Sequence, residues 1–510
     1  MVKQFLLITL GFVGLSVQAQ KTADPVPFAK TITEKDLQKH LTIIASEEMG
    51  GRDTPSPGLE KAAQYIEQQF KAFGLKPGNK GSFRQPFILE KDSATHLKLE
   101  MGEASFRPYV DFAPWISMPQ QASLRFSEYV FVGYGIVDEN RDDYKDVDVK
   151  GKLVVFLNGQ PEGFRSNKPR RQSPVFISNK IANAKKKGAA AVLIISEMLP
   201  SRQILDMYRP KNEQAVSEEN SAIPAFYIND NVLTRKGYTI NQIKSLVGNQ
   251  VIDPMIEEAQ VNIEYKSGKV TATVSNVIGI VEGTDKKDEY LFVTAHYDHV
   301  GTDEKGNIYY GADDDGSGTV AVMKMAEAFA KAKKAGKGPR RSIAFMLVCG
   351  EEKGLWGSEY YSDNPIYPLE KTTANLNIDM IGRIDTERLS ADTLNYVYVI
   401  GHNKLSTDLQ PILEGMNNKY TKLVLDYKFD DPNDPHRIYY RSDHYNFARK
   451  GVPILFFYDG MLQADYHKPT DTVDKINFPL LAKRAQLVFY TAWDMANRDE
   501  LLKRDLKLDQ

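Results

Sequence analysis

Short apolar segments alternate with segments of helical periodicity through the second half of the chain. The apolar segments have the length of strands, and they cover residues 276–283, 289–298, 342–352, 374–382, 396–401 and 453–460. Helical spacing of apolar residues lies between several of them and predicts helices over 319–335 and 478–502. Apolar runs without clean alternation are typical of strands covered on both faces. The pattern therefore predicts an α/β fold with a mostly parallel or mixed central sheet flanked by helices.

The first half of the chain divides into two regions. Residues 20–123 contain a Gly/Pro-rich loop, an amphipathic helix over 59–73 that ends at Gly74, and an irregular strand-rich part after residue 83. Residues 124–255 contain short β-rich runs bounded by Gly, Pro and Asn, with one helical stretch over 179–187. We interpret 20–123 as the N-terminal part of the main domain, 124–255 as a β-rich insert and 256–510 as the rest of the main domain.

The N-terminus has the pattern of a secretory signal peptide over residues 1–19. Lys3 precedes an apolar stretch, and Val17-Gln18-Ala19 supplies a small-residue cleavage site. Later stretches are too short and too often interrupted to span a membrane. We therefore expect a periplasmic or secreted protein. Its formal net charge of -2 gives no argument for a nucleic acid or an anionic membrane as a partner, and the single Cys349 reads as a buried thiol.

Chemistry is concentrated between residues 291 and 318. A strand ends in His296 and Asp298, and the carboxylates Asp313, Asp314 and Asp315 come directly before the next helix. In open α/β sheets, ligands bind at the carboxyl ends of the strands. Three adjacent aspartates repel one another, and a bound cation is the simplest group that would hold them together. This stretch therefore reads as half of a metal site.

Other strand ends in the same region carry the same residue types. They are Glu351-Glu352, Asp379, Asp443-His444 and His467. Imidazole and carboxylate ligands suit zinc, with cobalt or manganese as substitutes. Two adjacent ions need one bridging carboxylate and further ligands of their own. The residues available as ligands are His296, Asp314, Glu352, Asp379 and His467.

Two neighbouring carboxylates are left for other roles. Glu351 lies beside a ligand and is free to act as the general base. Asp298 is placed to hydrogen-bond the His296 imidazole and fix its tautomer. Each motif alone also fits a surface or helix-capping residue, but five such signals at consecutive strand ends together favour a metal centre.

These motifs resemble a known family. The segments AHYDHVG, GADDDGSGT, CGEEKGLWGS, NIDMIGR, RSDHYNFARKGVP and DYHKPTDTVDKI are similar to those of the co-catalytic zinc exopeptidases of the aminopeptidase Y, glutamate carboxypeptidase and transferrin receptor superfamily. The region with FVGYGI and KGKLVVFLNG resembles that family's protease-associated insert. The resemblance covers nearly the whole mature chain.

The resemblance implies a role for each residue. Asp314 would bridge two zinc ions, His296 and Asp379 would complete one of them, and Glu352 and His467 would complete the other. Glu351 would deprotonate the attacking water and pass the proton to the leaving amine, and the zinc ions would polarise the scissile carbonyl.

Further positions follow from the same resemblance. The peptide bond from Asp314 to Asp315 would be cis. Asp443, His444 and Tyr445 belong to a motif common in the family, and we expect His444 or Tyr445 to line the substrate pocket and help hold the oxyanion. Scaffolding behind the site is the alternative role for this segment.

The leading hypothesis is an aminopeptidase with two zinc ions and a peptide substrate. A carboxypeptidase is the alternative with the same ligands, and it would need a basic residue such as Arg383 or Arg441 to hold the substrate carboxylate. A single-zinc glutaminyl cyclase and a catalytically inactive binding protein are disfavoured because every ligand of the pattern is present. The insert reads as a lid or spacer, and the sequence does not indicate an oligomeric state.

Overall fold

The computed structural model describes residues 23–115, 118–168, 172–201, 207–211, 223–234, 237–248, 254–389 and 392–508. The predicted signal peptide over 1–19 lies outside these residues. The chain forms two compact units, the first from Met1–Pro86 with Val274–Gln510 and the second from Phe87–Thr273.

The strands are numbered here in chain order. They are β1 Lys76–Pro77, β2 Arg84–Met101, β3 Ala104–Ser105, β4 Phe112–Pro114, β5 Gln121–Phe131, β6 Val137–Asp138, β7 Arg141–Asp142, β8 Leu153–Leu157, β9 Ala191–Ile195, β10 Arg209–Pro210, β11 Ala225–Ile228, β12 Met255–Val281, β13 Lys286–His296, β14 Arg341–Val348, β15 Thr372–Ile378, β16 Tyr396–Ile400, β17 Val424–Asp426 and β18 Ile454–Tyr458.

The α-helices follow the same rule. They are α1 Val26–Ala29, α2 Glu34–Ile44, α3 Pro57–Phe73, α4 Ile177–Lys186, α5 Asp230–Leu233, α6 Ile240–Val247, α7 Gly318–Lys334, α8 Trp356–Asp363, α9 Leu409–Met416, α10 His444–Ala448 and α11 Phe478–Asn497. Short 3-10 or π-helical turns cover Glu47–Arg52, Ala312–Ser317, Leu369–Lys371, Asn417–Thr421, Lys428–Asp430, Ile438–Tyr440 and Val473–Lys475.

The first unit contains a mixed sheet with the strand order β17-β16-β18-β15-β13-β14-β12. The four central strands β18, β15, β13 and β14 are parallel, and β12 and β16 run antiparallel to their neighbours β14 and β18. Parallel strands end at the same edge of a sheet, so the residues that follow β13, β14 and β15 are brought together.

Both faces of this sheet are covered. On one face, α7 and α11 contact the strands and pack with α2, and α3 also packs on α7. On the other face, α10 packs on β15 and β18 and contacts α8, with Phe292, Phe456 and Phe447 in one apolar cluster. Leu291 and Val293, the residues on either side of Phe292, point to the opposite face of the sheet and are also fully buried. Because both faces are buried, polar and apolar residues do not alternate along β13.

Local sequence sets the ends of the main helices. The side chain of Ser56 caps α3 by accepting a hydrogen bond from the amide of Leu59, and α3 ends at Gly74, whose φ of 84° favours glycine. The side chain of Asn477 caps α11 through the amide of Leu480. The last helix ends at Asn497, five residues before the predicted end at residue 502, because Arg498 is extended.

The second unit is built on its own run of strands, in the order β12-β5-β8-β9-β11-β4. Strands β5, β8, β9 and β11 are parallel, and β4 and the first part of β12 are antiparallel at the two ends. Alternate residues of β8 belong to two apolar clusters, Val155 to one and Val154 to the other, so this sheet is also covered on both faces.

The predicted α/β class with a mixed, helix-flanked sheet is confirmed. The second unit extends beyond the predicted insert of 124–255 on both sides, because the long strands β2 and β12 continue into it from the flanking sequence. Long strands carry no composition change at the point where a unit begins, so the sequence gives no boundary there. Among the described residues, none of the helices combines the length and apolarity needed to cross a bilayer.

Candidate metal centre and active site

Three neighbouring strand ends supply the first part of the site. His296 is the last residue of β13 and is 1% exposed, Asp379 directly follows β15, and Glu351 and Glu352 come three and four residues after β14. The Nε2 atom of His296 is 3.5 Å from Oδ1 of Asp379 and 3.9 Å from Oε2 of Glu351. The strand order of the sheet therefore brings these residues together, as the sequence predicts.

Asp314 lies between two histidines. Its Oδ1 atom is 3.3 Å from Nε2 of His296, and its Oδ2 atom is 3.1 Å from Nε2 of His467. The peptide bond from Asp314 to Asp315 is cis, in agreement with the resemblance. Each oxygen of one carboxylate thus faces a different imidazole, which is the arrangement a bridging ligand needs.

A second group of side chains lies on the Oδ2 side of Asp314. Nε2 of His467 is 2.9 Å from Oε2 of Glu352, and Nδ1 of His299 is 2.9 Å from Oε1 of the same carboxylate. His299 was not predicted as part of the site. It occurs in the same AHYDHVG motif as His296, so its position in that motif was the available signal.

The atoms that face one another in these groups have no hydrogen-bond partner among the described residues. They are His296 Nε2, His299 Nδ1, Asp314 Oδ2, Glu352 Oε1 and His467 Nε2. The donors around a tetrahedral zinc ion lie about 3.3 Å apart when the bonds are 2.0–2.1 Å long. The observed separations bracket that value, and nitrogen and carboxylate donors are what zinc prefers. The residues therefore fit a metal centre at both groups.

The charges of the site depend strongly on one another. Burial raises the pKa of Asp314, but the adjacent imidazoles of His296 and His467 outweigh it and hold that pKa well below its usual range. Burial lowers the pKa of His467, but Asp314 and Glu352 raise it to about 10. A histidine must lose its proton to bind a metal ion, so these pairs predict that metal binding releases protons and weakens at low pH.

Buried carboxylates hold the acidic loop in place. Asp315 accepts hydrogen bonds from the backbone amides of His296, Gly318 and Met380, at 3.2, 2.8 and 3.1 Å. The carboxylate of Asp471 accepts hydrogen bonds from the backbone amides of Asp313 and Asp314 in the acidic loop. Asp315 therefore ties the end of β13 to the start of α7, which fixes His296 relative to the loop.

Arg52 is a second support that the sequence did not predict. Its buried guanidinium donates to the carbonyl oxygens of Ile44, Tyr297, Tyr310 and Gly311, all at 2.8 or 2.9 Å. Three of these carbonyls, those of Tyr297, Tyr310 and Gly311, lie between His296 and Asp314. The Gly/Pro-rich loop before α3 thus holds this segment near both of its ends.

Asp298 hydrogen-bonds the His296 imidazole through its backbone rather than through its side chain. The backbone carbonyl of Asp298, at 3.1 Å, is the hydrogen-bond partner of His296 Nδ1 and fixes the tautomer, while the nearer carboxylate oxygen is 3.6 Å away. The carboxylate instead accepts hydrogen bonds from the hydroxyl of Thr54 and from the amide of Glu351. Asp298 therefore positions the Glu351 backbone.

A small cavity opens beside Asp314, Glu351 and Asp379. Its remaining lining is mostly apolar or aromatic: Met380, Ile438, Phe456, Tyr458, Leu462 and Tyr466, with Arg441 also present. The ring of Tyr466 stacks on that of His467, with centroids 3.9 Å apart. The cavity lining was not predicted, because Phe456 and Tyr458 are part of an apolar strand whose sequence looks like core.

Asp443, His444 and Tyr445 do not line this cavity. His444 is fully buried and its Nε2 hydrogen-bonds the carbonyl of Tyr439, while Asp443 accepts the hydroxyl of Ser358. Tyr445 packs among Tyr439 and Tyr440.

The neighbouring Ser442 links this motif to Asp379. The hydroxyl of Ser442 donates to Oδ2 of Asp379 at 2.6 Å, and the amide of the Asn377 side chain donates to Ser442. The segment thus supports the site from behind, which was the alternative role considered for it.

Comparison with known proteins gives a consistent result. Residues 276–492 match the model of peptidase family M28, and residues 127–234 match the PA domain. A probable leucine aminopeptidase of Arthroderma benhamiae is 25% identical over 308 residues, which are 59% of this chain and 78% of the relative. Aminopeptidase YwaD of Bacillus subtilis is 25% identical over 311 residues, which are 58% of this chain and 63% of the relative.

One solved structure supports the fold. An aminopeptidase from Aneurinibacillus sp. strain AM-1 is 20% identical and has a TM-score of 0.55, covering 94% of this chain and 97% of that one. The fold and the buried histidine and carboxylate cluster define a metal-dependent hydrolase. The chain matches peptidase family M28 over residues 276–492 and the PA domain over residues 127–234. It is a hydrolase of peptide bonds, and the resemblance found in the sequence is confirmed.

Proposed function

We propose that the protein is a di-zinc aminopeptidase that removes N-terminal residues from peptides. The observation that carries this proposal is the position of Asp314, whose two carboxylate oxygens face two separate groups of donors beside a cavity that contains Glu351. The first ion would be held by His296, Asp314 and Asp379, and the second by Asp314, Glu352 and His467. Cobalt or manganese would be substitutes.

When bound, the two ions would supply Lewis-acid chemistry, polarising the scissile carbonyl and lowering the pKa of the attacking water. The donor set supports zinc, because it combines imidazole nitrogens with carboxylate oxygens and the described part of the chain contains no cysteine at the site.

Glu351 would be the general base. Its carboxylate lines the cavity, and its backbone amide is held by the carboxylate of Asp298. Burial raises the pKa of Glu351 well above its usual range, although His296 opposes this. A raised pKa makes the carboxylate a stronger base, which favours taking the proton of the attacking water before releasing it to the leaving amine.

The lining of the cavity supports a preference for the free N-terminus of a peptide with a large apolar first residue. The carboxylates of Glu351 and Asp379 offer acceptors for a protonated α-amine, and Phe456, Tyr458 and Leu462 offer an apolar wall for the side chain. Aromatic and aliphatic surfaces bind such side chains by removing apolar area from water.

A carboxypeptidase is the second candidate, and the position of Arg441 in the cavity lining favours it. Arg383 cannot serve freely, because it pairs with Asp465 at 2.8 Å. Arg441 lines the cavity, is exposed, and donates a hydrogen bond to the hydroxyl of Tyr466 at 3.3 Å, so it is available to bind a substrate carboxylate.

A substrate panel tests the proposal. Purified protein would be given aminoacyl-arylamides, peptides with blocked N-termini and peptides with blocked C-termini, with chelator and then with zinc added back. We expect chelator-sensitive release of N-terminal residues, fastest for leucine and phenylalanine, and none from N-blocked substrates. Cleavage of N-blocked peptides at a free C-terminus would establish the carboxypeptidase. No cleavage at all by zinc-loaded protein would favour a glutaminyl cyclase or a binding protein.

We propose that the protein is exported to the periplasm or secreted. The pattern of residues 1–19 supports this, with Lys3 before an apolar stretch and a small-residue cleavage site. Mass spectrometry of protein produced in a host with a secretory pathway would test it: the mature chain is expected to begin at Gln20, and an intact Met1 in exported protein would contradict cleavage.

A further inference from the structure

His299 is a buried histidine that none of the roles above uses. Its side chain is fully buried, its Nδ1 atom is 2.9 Å from Glu352 Oε1 and 3.9 Å from Asp314 Oδ2, and its ring meets that of His467 edge to face. All three neighbours are the residues proposed to hold the second ion.

The environment of His299 differs from that of two other buried histidines. His40 bonds the hydroxyl of Tyr65 through Nδ1, and His444 bonds a backbone carbonyl through Nε2, both at 2.7 Å. Neither ring nitrogen of His299 has a hydrogen-bond partner among the described residues. A buried imidazole normally has at least one partner, so His299 is an exception that needs an explanation.

The short contact with Glu352 does not provide the missing hydrogen bond. The two atoms are 2.9 Å apart, yet neither is satisfied by a hydrogen bond among the described residues. Ligand atoms of His299, Glu352 and Asp314 all lie within 4.8 Å of one another, as the ligands of one ion do.

The backbone around His299 holds the ring in this place. The amide of His299 donates to the carbonyl of Arg52 at 3.2 Å, and Arg52 is itself fixed by four carbonyls. A Cβ atom at Gly311 would lie 2.5 Å from Cγ of His299, so only glycine leaves room for the ring. The position of the imidazole is thus built into two loops.

We infer that His299 is a further protein ligand of the second ion, through Nδ1. The inference rests on the two-ion proposal and adds to it: the second position would have four protein donors, namely Asp314, Glu352, His467 and His299. The first would have three, His296, Asp314 and Asp379, and would stay open on the side of Glu351. Zinc positions with four protein donors are closed, whereas those with three keep a place for the reaction.

Metal titration of full-length protein tests this inference without using activity. Metal-free wild type, His299→Gln and His299→Ala would be titrated with Zn²⁺ against a coloured chelator that competes for the ion, which gives one affinity for each position. Glutamine keeps a hydrogen-bonding group near Glu352 but is a poor zinc ligand. His40→Gln is the matched control, since it removes a buried histidine away from the site.

We expect wild type and His40→Gln to bind two ions. In both His299 variants, one zinc affinity should stay within about threefold of the wild-type value, and the other should weaken by roughly a hundredfold. Loss of a group that only orients a metal ligand already lowers metal affinity about 10–100-fold. Titration with Co²⁺, followed by its visible absorption, should show a changed spectrum at the weakened position only.

Two results would overturn the assignment of His299. One is that both affinities stay within threefold of wild type in His299→Gln and His299→Ala. The other is that both positions weaken equally, with a lower melting temperature of the metal-free variants than of His40→Gln, which would make His299 structural. If wild type itself binds fewer than two ions, the proposed function fails instead, so the two failures can be told apart.

Discussion

At the scale of single residues, the sequence indicated which side chains come together at the site, but not which residues hold them in place. His296, Asp314, Glu352, Asp379 and His467 meet in the structure because each follows a strand or loop at one edge of the sheet. A residue that carries metal chemistry is recognisable by its type at a strand end. Arg52 instead holds the site segment by donating to backbone carbonyls. Every residue type has a backbone carbonyl, so the sequence of its partners carries no signal for this role.

The role of Glu351 gives the first prediction. Glu351→Gln should keep both ions bound, because Glu351 is not among the proposed ligands, and should lower kcat by about 10²–10⁴, the usual contribution of a general base. Steady-state kinetics with metal analysis of the same samples would check both parts. Glu359→Gln, which removes a carboxylate paired with Arg449 just after α10, is the control expected to stay within twofold. Nearly full activity of Glu351→Gln would show that another group is the base.

Arg52 gives the second prediction. Arg52→Lys keeps the positive charge but cannot reach four carbonyls at once, and buried carbonyls left unpaired cost about 1–3 kcal/mol each. We expect the free energy of unfolding to fall by about 3 kcal/mol or more, with weaker zinc binding because the site segment is held less firmly.

Chemical denaturation of the zinc-loaded proteins would measure this change. Arg498→Lys alters an exposed pair with Asp494 and should change the free energy of unfolding by less than about 1 kcal/mol. If Arg52→Lys were as stable as Arg498→Lys, the four carbonyl contacts would not be what holds the segment.

At the scale of elements, the strand order explains which predictions succeeded. The apolar runs at β13, β14, β15 and β18 were recognised from sequence, and these strands are parallel neighbours, so their ends converge. The expectation that His444 lines the pocket did not allow for the short helix α10, in which His444 is fully buried. The three-dimensional direction of a side chain at the start of a short helix depends on its packing, which sequence spacing does not encode.

Buried carboxylates between these elements give a pH prediction. Burial raises the pKa of Asp443 to about 7 and that of Asp471 to about 6, from 3.8 in the unfolded chain. A carboxyl with a raised folded pKa stabilises the fold at low pH, and this stability is lost as pH rises through the folded pKa. Asp443 should therefore make the metal-free protein lose stability as pH rises from about 4 to about 7, with little further change above that.

Comparison with a variant isolates this effect. In Asp443→Asn the amide cannot ionise, while its oxygen can still accept the hydroxyl of Ser358. Denaturation of both metal-free proteins at pH 5, 6 and 7 should give a shallower decline for the variant. Equal declines would mean that Asp443 does not titrate in this range.

At the scale of the whole molecule, the sequence predicted the fold class and the existence of two parts. The PA match over 127–234 lies within the second unit, and both groups of metal-capable residues found in the described part of the chain lie in the first. The extent of the second unit was not predictable, because strands β2 and β12 pass from one unit to the other without a turn or a change in composition.

The central claim is that two zinc ions held by this edge of the sheet cleave peptides from a free N-terminus. The most direct measurement is a titration of metal-free protein with zinc, in which bound zinc per chain and hydrolysis of leucine arylamide are followed together, with the N-acetylated substrate in parallel. We expect no hydrolysis without zinc, full activity at two ions per chain, and no hydrolysis of the acetylated substrate. Full activity in metal-free protein, or at one ion per chain with no second ion bound, would contradict the claim.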